Sequence, residues 1–472
     1  MASFFNHRRS AIRIEFADLW RLAWPVLVGQ LATVGMSVAD VAMTGHVSAD
    51  DLAAVALGAS IWSIVLVTVM GIMMAVNAVV AHEVGAGNTA SIAHVTRQSL
   101  WNAVGVGLVA CLLTNLATLI FDHLGLTPLV QSRAARFVHV ISIGMPAFAA
   151  YRVLYGYSAS LNQTKPAMVI ALLALLFNVC VNWLLVFGHW GFPQLGAIGC
   201  ACATATGMWL MLAAMIYWIR HAPAYRETDP FAMWEPPNWH EIGVMLRMGL
   251  PIGITYFAEV SAFGLVGLLV ARFGVIPVAA HQIALNFSSL VFMVPLSFGI
   301  ALVTRVGLAA GEGDAQRARF VAWVGVAASL AFAVLSASCI AIFRQQIAAA
   351  YSSDPAVQAL TVHLLWFAAL FQLSDATQVA ASCAIRGYKV TRPPMLIHMA
   401  AFWGCSVPLG CWLGLAPSWL PWRPAQPMQA TGFWIGLVLG LTVAAGLLLW
   451  YLARLSSRRV REANASVLGF AV

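Results

Sequence analysis

Charge is scarce in this chain: 9% of its 472 residues are Asp, Glu, Lys or Arg, against 61% hydrophobic and a mean hydropathy of +0.85. Soluble domains carry about 25% charged residues, so a soluble globular fold is excluded and a polytopic membrane protein is expected. Lysine is scarcest, occurring only as Lys165 and Lys389. These follow Thr and Tyr, so no G-x-x-x-x-G-K-[ST] loop exists and an ion gradient is left as the energy source. The eight cysteines include a Cys200-x-Cys202 pair without a second Cys or His pair at zinc spacing, and all are expected to be small core residues. No small-residue cleavage site follows a short apolar core after His7, Arg8, Arg9 and Arg13, so the first helix is expected to be retained.

Long apolar runs are what the chain has in abundance. A bilayer crossing takes about 20 residues, and runs occur near 17–42, 52–80, 98–121, 135–160, 167–187, 196–219, 242–271, 278–306, 320–343, 357–383, 395–415 and 431–453. The expectation is an all-α membrane protein of twelve helices. The net charge of +8 belongs to topology and not to nucleic acid. With the N-terminus taken as cytoplasmic, most basic residues fall on that side (Arg220, Arg226, Arg317, Arg386, Lys389, Arg458), and Arg133, Arg136, Arg272, Arg344 and Arg423 fall on the other. This positive-inside bias puts both termini in the cytoplasm.

The second half restates the first. Arg21-Leu-Ala-Trp-Pro25 aligns with Arg247-Met-Gly-Leu-Pro251, Gly85-Ala-Gly87 with Gly311-Glu-Gly313, and Thr164-Lys-Pro-Ala-Met168 with Thr391-Arg-Pro-Pro-Met395. Six crossings per half make parallel repeats, an arrangement of transporters whose substrate sites lie at the repeat interface. The expected division is an N-lobe over 1–220, a polar, Pro-rich loop over 221–241, a C-lobe over 242–455 and a tail over 456–472. The repetition also disposes of Gly85-Ala-Gly-Asn-Thr-Ala90 as a dinucleotide motif, because a hairpin turn used twice explains it better.

Three acids stand inside apolar runs: Asp40, Glu259 and Asp375. An ionised acid at mid-bilayer costs roughly 3 kcal/mol on insertion scales, and solvation accounts for the other acids, which lie in tails, loops or at helix ends. Arg152 is the one basic residue read as deep within a span, so at least two of the three acids have to hold a proton or a metal ion. A buried carboxyl resists ionisation and can exchange a proton near neutrality; a facing pair of carboxylates also suits Na⁺. Glu259 and Asp375 belong to one half. Asp40 belongs to the other, with Asn178 and Asn182, at i and i+4, on one helix face near it. Gln282, Asn286 and Ser288 make a polar stripe, with Ser60 at the equivalent level of the second helix; Tyr256, Phe287, Phe292 and Met293 are aromatic or soft residues suited to flat cations.

The stretches VADVAMTGHVSADDLAAVALGASIW, TKPAMV, LRMGLPIGITYFAEV, VAAHQIALNFSSLVFMVPLS, LFQLSDATQVAASCAIRGYK and ATGFWIGL closely resemble the MATE multidrug exporters, in particular the bacterial NorM branch, over nearly the full length. The resemblance implies two six-helix lobes in a V, exchanging Na⁺ or H⁺ for cationic drugs and dyes, in a monomer of the bacterial inner membrane without a cofactor. It implies that Glu259 and Asp375 bind the coupling cation, as ligands if that ion is a metal, and that Asp40 is the N-lobe acid with Asn178, Asn182 and Thr204 around it. Ser60, Gln282 and Asp354 match positions of substrate contact. The chain departs from close relatives at Phe371, where they carry a tyrosine four residues before the acid, and this leaves the coupling ion open between Na⁺ and H⁺. Alternatives weighed against the exporter are a lipid-linked oligosaccharide flippase of the same superfamily, an intramembrane aspartyl protease using Asp40 and Asp375, and a channel. The first would be expected to line its cavity with several arginines; the second would need its acids to meet.

Overall fold

The computed structural model describes residues 2–123, 125, 127–417 and 424–469, with side chains from Ser10 to Ala465 within them. Arg423, the side chains of His7, Arg8 and Arg9, and the last residues of the expected tail lie outside the described residues. The helices are α1 (Ala2–Gly45), α2 (Ala49–Met73), α3 (Ala75–Gly85), α4 (Thr89–Ala117), α5 (Pro128–Ser142), α6 (Met145–Ser160), α7 (Lys165–Phe187), α8 (Ala197–His221), α9 (Trp239–Val270), α10 (Val275–Gly311), α11 (Ala315–Tyr351), α12 (Pro355–Gly387), α13 (Arg392–Met399), a π segment (Ala400–Ser406), α14 (Val407–Leu415) and α15 (Gln429–Gly469). Among the described residues eleven spans are long and apolar enough to cross a bilayer, and α5 with α6, bent by 41° at their junction, make a twelfth when the pair is counted as one span. The bend sits before Pro146, against Gly107 of α4, where a Cβ would come within 2.5 Å of the Pro146 Cα.

Packing divides the chain into two units: Trp24–Phe257, and the residues up to Ala23 together with those from Ala258 onward. Helices α1 and α9 therefore each contribute to both, and each carries one of the paired prolines, Pro25 and Pro251, inside it. Proline is tolerated within spans because neighbouring groups satisfy the freed backbone carbonyl.

Two acids read as solvated at helix ends are in fact buried. Asp51 is 5% exposed: it shares the α2 cap with Ser48, accepts from Arg133 on α5 at 3.0 Å, and accepts from the Ala197 amide that starts α8 at 3.1 Å. Glu15, 7% exposed, receives Nε and an amino group of Arg305 at 2.8 and 2.7 Å. Cys180 and Cys339 are exposed and not in the core, while Cys200 and Cys383 are buried.

The loop expected to be merely polar is clasped onto its own unit. Tyr225 is buried and pairs with Ser158, and Tyr157 donates to the Thr228 carbonyl. Glu235 accepts from Arg97 at 2.5 Å and from one ring nitrogen of His94 at 2.7 Å, while the other nitrogen of His94 meets Glu241 at 2.6 Å. The Arg97 hydrogen bond first, then His94, holds the Glu235 carboxyl below its ordinary range. A depressed carboxylate stabilises its contacts fully above the ordinary carboxylate range and loses them as the pH falls through its lowered value. Limited proteolysis between Ala222 and Asn238 should accordingly accelerate on acidification, and Arg97→Ala should make the loop susceptible at neutral pH; equal cleavage of both forms at every pH would contradict the clasp.

Candidate functional site

In the unit Trp24–Phe257, α1, α7 and α8 bring the N-lobe residues together. Asn182 Nδ2 donates to Asp40 Oδ1 at 2.6 Å and Thr204 Oγ1 donates to Oδ2 at 3.1 Å. Asn182 also reaches Asn178 Oδ1 at 3.2 Å, and Asn178 reaches Thr204 at 3.4 Å. Asn178 and Asn182 are essentially inaccessible, and Asn182 Oδ1 has no partner. The Cys200 thiol adds a further contact to Asp40. It stands one turn before Thr204, and that spacing was the signal by which it could have been found. Beside the cluster is a cavity of about 140 Å³ bounded by Met36, Tyr151, Arg152, Asn178, Thr204 and Met208. Arg152 stacks on Tyr155 at 4.6 Å, with its Nε unpartnered. The cavity is below the roughly 300 Å³ of a typical ligand pocket, so a drug-sized molecule needs it to widen.

In the other unit, Glu259 on α9 and Asp375 on α12 lie close enough to feel one another's charge. Asp375 is 2% exposed and its Oδ1 accepts the Gln378 amide N–H at 3.1 Å. Phe371 has its ring edge-on to Phe263 (5.9 Å) and Trp434 (6.1 Å), in an aromatic cluster continued by Phe402. The residue that departs from the family pattern therefore fills an apolar seat and gives no oxygen to the acids. Arg386 corrects the sequence reading of a single deep cation: it is 4% exposed in the last turn of α12, and its charge bears on Glu259.

As a metal site this pair is poorly furnished. The described residues contain no group of three or more His, Cys, Asp or Glu able to hold a metal ion. An N–H is aimed at Asp375 where a further oxygen is needed, whereas Na⁺ is bound by oxygen donors.

The residues expected to contact substrate are divided between the two units. Gln282 and Asn286 are exposed one turn apart on α10, and Phe292 is half-buried further along. Ser60, in the other unit, is exposed and donates to the Ala56 carbonyl. Asp354 caps α12, accepting from the Ala356 amide at 2.8 Å, so a structural duty accounts for it.

A polytopic helical protein built from a duplicated unit, with carboxyl groups buried in its spans, has the architecture of a secondary transporter. The chain belongs to the MatE family, whose model matches residues 25–184 and 251–412, beginning at the two prolines that the internal repeat aligns. It is 43% identical over 452 residues to "Multidrug resistance protein PmpM" of Pseudomonas aeruginosa, covering 96% of this chain and 94% of that protein. It is 40% identical over 464 residues to "Probable multidrug resistance protein NorM" of Chromobacterium violaceum, covering 98% of each. The fold matches that of the eukaryotic MATE transporter AtDTX14 at a TM-score of 0.86 and 20% identity, over 97% of this chain and 99% of that one.

Proposed function

We propose that this protein is a multidrug antiporter that exports cationic drugs and dyes from the cytoplasm in exchange for protons, as a monomer of the bacterial inner membrane with both termini inside. The observation that carries the choice of ion is Asp375, which is buried in its span, is paired in charge with Glu259 and accepts an amide N–H from Gln378 on its carboxyl. Incoming protons discharge this pair and lower the affinity for the cationic drug, which then leaves outward; export follows from mutual exclusion. The names of the relatives support the substrate class, and the Met- and Tyr-lined cavity beside the Asp40 cluster suits a flat cation.

Two acids permit two protons for one monovalent drug, which moves one net charge. The membrane potential then contributes about 2.3 kcal/mol per 100 mV, roughly a fortyfold gradient. Dye transport in everted vesicles at fixed pH separates the ions. It should be unchanged when Na⁺ is replaced by choline and should collapse when an ionophore dissipates the proton gradient. Dependence on Na⁺ with indifference to the ionophore would overturn the proton reading.

A further inference from the structure

His398 on α13 is 2% exposed and had no part in the sequence-derived site. Its Nδ1 meets the Pro394 carbonyl oxygen at 2.6 Å, and its Nε2 meets the amide oxygen of Gln378, whose amide nitrogen is the donor to Asp375. Carbonyl and amide oxygens only accept. As placed, therefore, both ring nitrogens of His398 carry protons and Asp375 Oδ1 is an acceptor, so the chain is without net charge when that carboxyl is ionised.

The two ends of a glutamine amide are nearly isosteric. Turning Gln378 over lets its nitrogen donate to an unprotonated Nε2, and its oxygen then requires a hydroxyl from Asp375. The two arrangements contain the same protons and the same total charge: the Nε2–H bond is lost as an O–H bond forms on Asp375, and nothing else changes. Each satisfies every partner. With one proton fewer, a neutral imidazole and an ionised Asp375 both face Gln378, and one of them necessarily meets the wrong atom.

We infer that Gln378 and His398 are positioning residues for the coupling proton: the Asp375–Gln378–His398 chain is complete only when it holds that proton, and the amide of Gln378 reports its presence from one end to the other. This rests on the reading that a proton occupies the acids. Burial of all three side chains, at 2%, 1% and 2% exposure, favours the uncharged arrangement, with the proton on Asp375, over a buried ion pair. The charged groups bearing on the chain are Glu259 from α9 and Arg386 from α12. Among the described residues, α10, α11 and α15, packed on α12, and the π segment and α15, packed on α13, present no other whose charge acts on Asp375 or His398. The Phe402 ring stacks on the imidazole.

The test is the affinity of the full chain in lipid nanodiscs for ethidium as a function of pH. In the wild type, affinity falls as the pH falls. His398→Phe and Gln378→Met each remove the support for the proton, so the midpoint should move about one pH unit to the acid side, giving about twofold tighter dye binding at the wild-type midpoint and about tenfold tighter binding well below both midpoints. The high-pH affinity should be unchanged, and the double variant should shift no further than either single one. A measurement on the unsubstituted chain guards against misfolding of the variants: with ¹⁵N-histidine, the resonance lost in His398→Asn should titrate together with dye affinity, and Asp375→Asn should abolish that titration. Profiles of both variants superimposable on wild type, or a His398 resonance indifferent to pH where dye affinity changes, would overturn the inference. If Asp375→Asn itself leaves the pH dependence of dye binding intact, the proton reading of the acids fails. If it removes most of that dependence while the two other variants leave the midpoint in place, only the chain through Gln378 fails.

Discussion

Replacing Glu259 by Gln together with Asp375 by Asn should reduce dye export to the passive leak while leaving dye binding in place. Two neutral amides keep the shape of the pair but hold no exchangeable proton, so the drug has nothing to be exchanged against. Coupling between sites is typically worth 1–3 kcal/mol, which puts the loss of pH-driven discrimination at about 5–150-fold. Everted vesicles report the export and nanodiscs report the binding. Export at the normal rate by the double variant would show that the coupling acids lie elsewhere, Asp40 being the first to try. The single variants should differ. Asp375 has the Gln378 donor and nearly complete burial, so Asp375→Asn should remove most of the proton sensitivity, whereas Glu259→Gln keeps that acid and should lose less of it.

Arg305→Ala should be the most destabilising of the charge deletions, at about 3–5 kcal/mol, because it leaves Glu15 buried without its partner. The guanidinium grips Glu15 with two nitrogens and reaches Asp18 at 3.0 Å. Lysine presents a single point charge and cannot reproduce that fork, so Arg305→Lys should recover only part of the loss. Adding Glu15→Ala to Arg305→Ala should restore some stability, since the stranded carboxylate is then gone. Thermal unfolding in detergent measures each form. An Arg305→Ala protein melting with the wild type would show that the pair stabilises nothing.

The pattern that could be read from the chain was the one carried by single residues in unlike surroundings. A carboxyl in an apolar run, a proline repeated at the same place in two halves and asparagines one turn apart need no knowledge of neighbours. Asp40 with Asn178 and Asn182 is such a case, whereas Thr204 entered only through the family resemblance. Gln378 and His398 escaped because neither is unusual alone; their meaning arises when α12 and α13 lie together and two side chains twenty residues apart become a donor and an acceptor. Arg386 was hidden by arithmetic, falling at the end of an apolar run and so counted with the loops. Glu15 and Asp51 were assigned to solvent for the same reason, since burial at a helix end depends on what another helix brings against it. Phe371 was legible as a departure but not as the centre of an aromatic cluster, since Phe263, Phe402 and Trp434 come from three separate helical segments.

Along α15, Gly436 and Gly440 stand one turn apart on the side facing the π segment and α14. A methyl group at the first would lie 2.6 Å from the Ser406 carbonyl, and at the second 1.8 Å from the Ser406 hydroxyl. Bare backbone meets bare backbone there, like the teeth of a closed zip, and neither rod can slide or roll along the other without first parting. These two rods are therefore held as a single stave, and a side chain added at either glycine would have to prise them apart.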